Sequence, residues 1–161
     1  MPENWKLVVA PHEVNQAHIR QVQDLFGAAA VLFSEFSISE TDIKVLIIDN
    51  IGMLSGLYKY GEIAFIGGGF DKGGIHNILE PAVFGLPVII GPVYEKFVEA
   101  REMVALKYAF PVNNAAEATS VLRDLLHDRA ALVMSIKKHL QERTGATEKV
   151  MRVIAKILPA F

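Results

Sequence analysis

Glu62-Ile63-Ala64-Phe65-Ile66-Gly67-Gly68-Gly69-Phe70-Asp71-Lys72-Gly73-Gly74-Ile75-His76-Asn77-Ile78-Leu79-Glu80-Pro81 is the stretch that decides the fold. It opens on a short apolar run, predicted as a buried strand over 62–66 that ends in glycine. Five glycines then fall within the eight positions 67–74, where they let the backbone turn tightly or approach a ligand closely. A helix is predicted from about Asn77 to Phe84, closed by Gly85. Pro87-Val88-Ile89-Ile90 is the next apolar run, closed by Gly91-Pro92. Strand, loop, helix and strand in that succession make a βαβ unit, which implies parallel pairing.

The same rhythm extends in both directions. Upstream, Trp5 to Ala10 reads as a strand closed by Pro11, and Val14 to Phe26 as a helix stopped by Gly27. Ala30 to Phe33 is a second strand candidate, Ser34 to Asp42 a polar loop, and Lys44 to Asp49 a β-branched strand of the kind buried in parallel sheets. Asn50 is placed as the N-cap of a helix over Ile51 to Tyr60. Downstream come a helix over Glu95 to Leu106, a short edge strand over Ala109 to Val112, and helices over Ala115 to Leu126 and Asp128 to Arg143. An amphipathic helix over Thr147 to Leu158 ends at Pro159. Alternation from end to end predicts the α/β class, one doubly wound parallel sheet covered on both faces by helices, over residues 1–161.

Composition narrows the function classes. Of 161 residues 52% are hydrophobic and 21% charged, rich in core material for one domain. With 16 Lys plus Arg against 18 Asp plus Glu and a net charge of −2, no nucleic-acid partner is expected. The absence of cysteine excludes disulfides, Cys-based zinc sites and thiol catalysis. No Asp-x-Asp occurs, so no metal is expected on a phosphate. The segment Met1 to Lys6 has no basic and apolar regions of an export signal. The longest apolar run, Pro81 to Val93, has 13 residues broken by Gly85, Pro87 and Gly91, against the roughly 20 that a spanning helix needs. The chain is expected to be soluble.

In a doubly wound sheet, ligands bind outside the carboxyl ends of the strands, which is where the glycine loop lies. Gly67, Gly68, Gly69, Gly73 and Gly74 beside a helix N-terminus would suit phosphate. The spacing matches neither the dinucleotide fingerprint, which needs Gly where Lys72 stands, nor a P-loop. A loop whose glycines only permit tight turns fits the count equally well. His76 at the predicted helix start and Glu80 one turn on lie on one face, which would set a carboxylate for ribose hydroxyls and His76 or Asn77 for phosphate. Against this, Asn77 can simply cap the helix and Glu80 favour its first turn. Lys72 is a candidate contact for a sugar carboxylate. After the first strand, His12 and Glu13 are either donor contacts or a capped turn. Asp49 and Asn50 read as turn and cap, and the basic run Lys137-Lys138-His139 as a solvated helix face.

Gly67-Gly68-Gly69-Phe70, then Gly73-Gly74-x-His76-Asn77-x-Leu79-Glu80-Pro81-Ala82, Gly85-x-Pro87-Val88 and Gly91-Pro92 closely resemble the C-terminal half of the 3-deoxy-D-manno-octulosonic acid (Kdo) transferases. Val8-Val9-Ala10-Pro11-His12-Glu13 and Asp49-Asn50-Ile51-Gly52-Met53-Leu54 are similar to further segments of that family. The resemblance runs from about Lys6 to about Glu117.

It implies a Rossmann-like nucleotide-sugar-binding domain, the C-terminal half of a GT-B glycosyltransferase that moves Kdo from CMP-Kdo to a lipid A precursor with inversion. That reaction belongs to lipopolysaccharide biosynthesis, at the cytoplasmic side of the inner membrane. The implied donor contacts are Gly67, Gly68, Gly69, Gly73, Gly74, His76, Asn77, Glu80, Gly52, Met53 and His12, with Lys72 toward the sugar carboxylate. No cofactor or metal is implied, and CMP-Kdo is a substrate. The catalytic base, membrane anchor and acceptor surface are implied to lie in an N-terminal domain outside this chain, so the segment alone should be inactive. The family often has Ala-Pro-Arg-His where this chain has Ala10-Pro11-His12-Glu13, and a Gly where Ile48 stands, and the loop Phe70 to Gly73 is shorter. Two other readings remain: a UDP-sugar domain of another GT-B enzyme or epimerase, and a non-catalytic nucleotide-binding module.

Overall fold

The computed structural model describes residues 4–37, 42–127 and 129–158. The chain forms two compact units, residues 1–57 and 58–161, each with its own parallel sheet.

In the first unit, strand β1 (Leu7–Val9) leads to helix α1 (Gln16–Phe26), strand β2 (Ala30–Leu32), strand β3 (Val45–Ile47) and the short helix α2 (Leu54–Leu57). The sheet has three strands in the order β1-β3-β2, all parallel, with Leu7 and Ala30 opposite Val45. Asn15 starts α1 by accepting from the His18 amide at 2.9 Å, a cap that satisfies one of the free N–H groups of the first turn. Successive strand residues face opposite sides. Val9, Val45, Ile47, Ala30 and Leu32 lie on the face that packs against Ile19, Val22 and Phe26 of α1. Val8, Leu46 and Val31 alternate with them, and no buried cluster includes these three. Ser34 ties the ends of β2 and β3 together, its amide donating to Asp49 Oδ1 at 3.1 Å and its hydroxyl to Asp49 Oδ2.

The second unit contains strand β4 (Ala64–Phe65), helix α3 (Leu79–Val83), strand β5 (Val88–Ile90), helix α4 (Val98–Ala105), strand β6 (Ala109–Pro111) and helices α5 (Ala115–His127), α6 (Ala130–Glu142) and α7 (Ala146–Ile157). Its sheet is parallel with the order β4-β5-β6. Here the alternation is used on both faces. Val88 and Ile90 join Ile78, Ala82, Met103 and Ile136 from one side, while Ile89 joins Val112 and Leu125 on the other. Burying each of the larger of those side chains contributes about 1.5–3 kcal/mol, so β5 carries the core of this unit.

The α/β class, the parallel pairing and the edge position of β6 agree with the sequence reading. The described strands pair as three parallel strands in each unit. Helix starts differ most. The helix placed from Ile51 begins at Leu54, because Gly52 sits at φ +95°, outside the helical region. Asn50 therefore caps nothing, and its side-chain amide instead donates to Met53 Sδ at 3.0 Å. Residues 38–41 of the polar loop, Asp128 at the predicted start of its helix, and Pro159 all lie outside the described residues.

Candidate functional site: the glycine loop after β4

The loop is a small closed hairpin. Gly68 bridges Ile75 antiparallel, the Gly69 amide donates to Gly74 O at 2.7 Å, and the His76 amide to Gly67 O at 3.4 Å. The Val93 amide, just past β5, donates to Gly69 O at 2.9 Å and pins the hairpin to the carboxyl end of the sheet. Glycine is required at Gly68: its φ is +84°, and a Cβ would lie 2.5 Å from Gly74 O. At the tip, Asp71 Oδ1 accepts from the Gly73 amide at 2.8 Å. Lys96 Nζ donates to Gly73 O at 2.7 Å, so a cation neutralises the carbonyl side of the loop.

The hairpin changes what the glycines can do for a ligand. The Gly69 N–H, one of those assigned to phosphate, is spent on Gly74 O. Tight turning thus accounts for Gly68, Gly69 and Gly74, while a Cβ at Gly67 would meet nothing within 4 Å, leaving that position open for approach.

The helix dipole argument also shrinks. Helix α3 starts at Leu79 and has five residues, not the eight from Asn77 to Phe84 expected from sequence. Asn77 accepts from the Leu79 amide at 3.0 Å in a side-chain turn that precedes the helix. His76 therefore lies outside α3 and shares no helical face with Glu80. Glu80 is held differently: Asn77 Nδ2 donates to its Oε1 at 3.0 Å. The pair Asn77–Glu80 is exposed, as is His76. Burial, and then the Glu80 charge, raise the Tyr58 hydroxyl above its ordinary pKa of 10.0, keeping it a neutral donor beside that carboxylate. His76 and Asn77, with Ile75, Ile78, Phe97 and Glu99, line a shallow cavity of about 240 Å³. A larger cavity of about 710 Å³ lies elsewhere, walled by Leu79, Val83, Met103 and Leu140 beside Glu102 and Arg143, and does not include the glycine loop.

The remaining candidates are dispersed. Lys72 is exposed at the loop tip. His12, Gly52 and Met53 belong to the first unit, His12 exposed in the turn after β1. Glu13 takes part in the start of α1, accepting from Asn15 Nδ2 at 3.2 Å and lying 3.5 Å from His18 Nδ1, which is the capped-turn reading. Asp49 is engaged by Ser34. Sequence reading missed Lys96 and Tyr58. Lys96 had a visible signal, since it follows β5 by six residues at the same sheet edge; Tyr58 had none, because it meets Glu80 only through folding. Among the described residues no three His, Cys, Asp or Glu side chains group as metal ligands. Among them too, no helix is long and apolar enough to cross a membrane.

No protein-family profile matches the chain. It is 34% identical over 146 residues to 3-deoxy-D-manno-octulosonic acid transferase of Aquifex aeolicus, covering 89% of this chain and 37% of the relative. The same-named protein of Haemophilus influenzae is 29% identical over 163 residues, covering 96% and 38%. The chain thus spans little more than a third of the length of these curated relatives. Among solved structures it is similar to the C-terminal CMP-Kdo binding domain of WaaA from Acinetobacter baumannii. That match has a TM-score of 0.73 at 23% identity, covering 84% of this chain and 74% of that domain. Over 89% of its length the chain is a homologue of the 3-deoxy-D-manno-octulosonic acid transferases, and it has the fold of a CMP-Kdo binding domain.

Proposed function

We propose that this chain holds the CMP-Kdo donor of a Kdo transferase, a glycosyltransferase acting on a lipid A precursor in lipopolysaccharide biosynthesis. The observation that carries the reading is one loop. The segment Gly73-Gly74-x-His76-Asn77-x-Leu79-Glu80, by which the sequence resembles that family, runs from the second arm of the pinned hairpin into the start of α3, at the carboxyl edge of a parallel sheet, where nucleotides bind.

The chemistry asks for two things: stabilisation of phosphate charge as the bond from the anomeric carbon to oxygen breaks, and a base for the acceptor hydroxyl. The first falls to this chain. Gly67 offers close backbone approach, His76 and Asn77 supply side-chain donors, and Gly68, Gly69, Gly73 and Gly74 shape the hairpin. Glu80 Oε1 is already turned toward Asn77, which leaves Oε2 to accept from ribose hydroxyls. Lys72 meets the sugar carboxylate. No metal or cofactor takes part in this scheme. The base, the acceptor surface and the membrane contact at the cytoplasmic side of the inner membrane are assigned to an N-terminal domain of the longer protein. Transfer inverts the anomeric centre, and the present segment alone is inactive.

Calorimetric titration of the chain with CMP and UDP tests the reading, with heat expected from CMP and little from UDP. Tight UDP binding with CMP silent would overturn it. In the longer enzyme, Glu80→Ala is expected to lower activity by at least about tenfold, the loss of one charge-assisted contact. Turnover near wild type would remove Glu80 from the donor site.

A further inference from the structure

The segment that follows β5 grips the glycine hairpin on both arms. Val93 holds the first arm, its amide donating to Gly69 O at 2.9 Å. Three residues on, Lys96 holds the second: its Nζ donates to Gly73 O at 2.7 Å and reaches Lys72 O at 3.5 Å. The side chain gets there by lying across Gly74, where a Cβ would come within 2.7 Å of both Lys96 Cε and the Phe97 ring. A surface lysine ordinarily keeps its ammonium in water on a flexible stem. Here backbone carbonyls take the place of water, and the glycine at position 74 leaves room for the stem. Lys96 Nζ also stands 5.3 Å from the centre of the Phe97 ring, a cation–π distance. That ring lines the shallow cavity shared by His76 and Asn77, so the ammonium lies at the border between the hairpin tip and the cavity.

The charges nearby give that ammonium a role. Asp71 at the tip, Glu80 beside Asn77 and Glu99 in the cavity wall put three carboxylates around a loop assigned to an anion. Lys72 and Lys96 are the lysines that offset them. Of the two, among the described residues, only Lys96 has its ammonium fixed by hydrogen bonds. A charge already fixed in place needs no reordering when a ligand arrives. An ammonium has three N–H donors, so the carbonyls of Gly73 and Lys72 leave one for a phosphate oxygen. We propose that Lys96 is a positioning residue of the donor loop: it clamps the second arm of the hairpin through Gly73 O and sets a fixed positive charge beside the phosphate of the donor. The clamp needs only the geometry just given, whereas the phosphate rests on the CMP-Kdo reading.

The test titrates the 161-residue chain with CMP and, separately, with cytidine, followed through backbone amide NMR shifts, which also read weak binding. Wild type is compared with Lys96→Met, which keeps a stem and removes the charge, and with Lys96→Arg. Lys96→Met is expected to weaken CMP binding by at least about tenfold and cytidine binding by less than about twofold, since only CMP carries the phosphate. Lys96→Arg is expected to restore most of the CMP affinity. Lys96 is exposed, so both variants should melt within about 2 °C of wild type. The clamp is read without ligand. Exchange of the Gly69 and Gly73 amides, corrected for intrinsic rate, should quicken at least about threefold in Lys96→Met and return toward wild type in Lys96→Arg. CMP affinity equal in wild type and Lys96→Met would overturn the charge, and unchanged exchange would overturn the clamp, with the CMP-Kdo reading still standing. Equal losses for CMP and cytidine would reduce Lys96 to a structural contact and overturn the charge as well. A wild-type chain silent to CMP would instead remove the donor reading, and the phosphate assignment with it, while the exchange rates still decide the clamp.

Discussion

The two sheets have the same size and the same parallel pairing, yet they are finished to different degrees. In the second unit the central strand β5 is 0–3% exposed at all three positions, covered by α3, α4 and α6 on one face and by α5 on the other. In the first unit the central strand β3 buries Val45 and Ile47 under α1, while Leu46 on the other face is only partly buried and Val8 beside it is exposed. A parallel strand is stable when both faces are covered, and its near-continuous apolar sequence records that requirement. Val45-Leu46-Ile47-Ile48 and Leu86-Pro87-Val88-Ile89-Ile90 are both apolar throughout. The difference is in what covers them: among the described residues β3 packs into a buried cluster on one face, β5 on both.

The sharpest way to break this comparison is to truncate matched positions. Ile89→Ala removes a side chain 3% exposed against Val112 and Leu125, and should destabilise the second unit by about 3 kcal/mol, as large-to-small core changes do. Leu46→Ala, at the corresponding place on β3, should cost no more than about 1 kcal/mol because little packing is lost. Chemical denaturation followed by amide exchange in each sheet reads both values; equal costs would mean the two sheets are equally covered. Next in size is Gly68→Val. The new Cβ collides with Gly74 O while the backbone stays at φ +84°, a combination expected to cost about 1–3 kcal/mol in the loop. Because β5 remains packed, the sheet should persist while CMP binding is lost. Unchanged affinity would show that the hairpin is only a turn.

What was legible follows from the kind of signal involved. Apolar runs, several of them closed by glycine or proline, marked the six described strands, since strand burial leaves a continuous hydrophobic record. Neighbour relations leave no such record: alternation implies parallel pairing without saying which strand lies beside which, so the order β1-β3-β2 could not be read. Helix starts were misread where a local hydrogen bond competes with the helix, as at Asn77, or where a backbone angle excludes it, as at Gly52. In the loop, glycine count located the site. It could not reveal that the Gly69 N–H is consumed by Gly74 O or that Asn77 and Glu80 hold each other, because both depend on the hairpin having closed.

The smallest expected effect separates the units at their helix caps. Both α1 and α5 start on asparagine, Asn15 accepting from the His18 amide and Asn114 from the Glu117 amide at 3.0 Å. In α5 a carboxylate completes the cap: Glu117 Oε2 accepts from the Asn113 amide at 2.8 Å and from Asn113 Nδ2 at 2.9 Å, and Oε1 from Asn114 Nδ2 at 3.1 Å. These bonds, the backbone N–H of Asn113 foremost, favour the ionised form and hold Glu117 below its ordinary value of 4.5. A carboxyl depressed by folding contributes stability that is present above its unfolded value and is lost as pH falls through the folded one. Acid should therefore loosen the start of α5 below about pH 4.5 by protonating an acceptor of the cap itself, whereas in α1 the cap acceptor is the uncharged Asn15 amide and the Glu13 carboxylate only receives from it. Amide exchange at Asn113 and Glu117, corrected for intrinsic rate, should gain an acid-dependent opening in the wild-type chain that Glu117→Gln lacks, since glutamine keeps one acceptor oxygen but does not titrate. The same acid response in the variant would place the titrating group elsewhere, and the two caps would then be alike in kind.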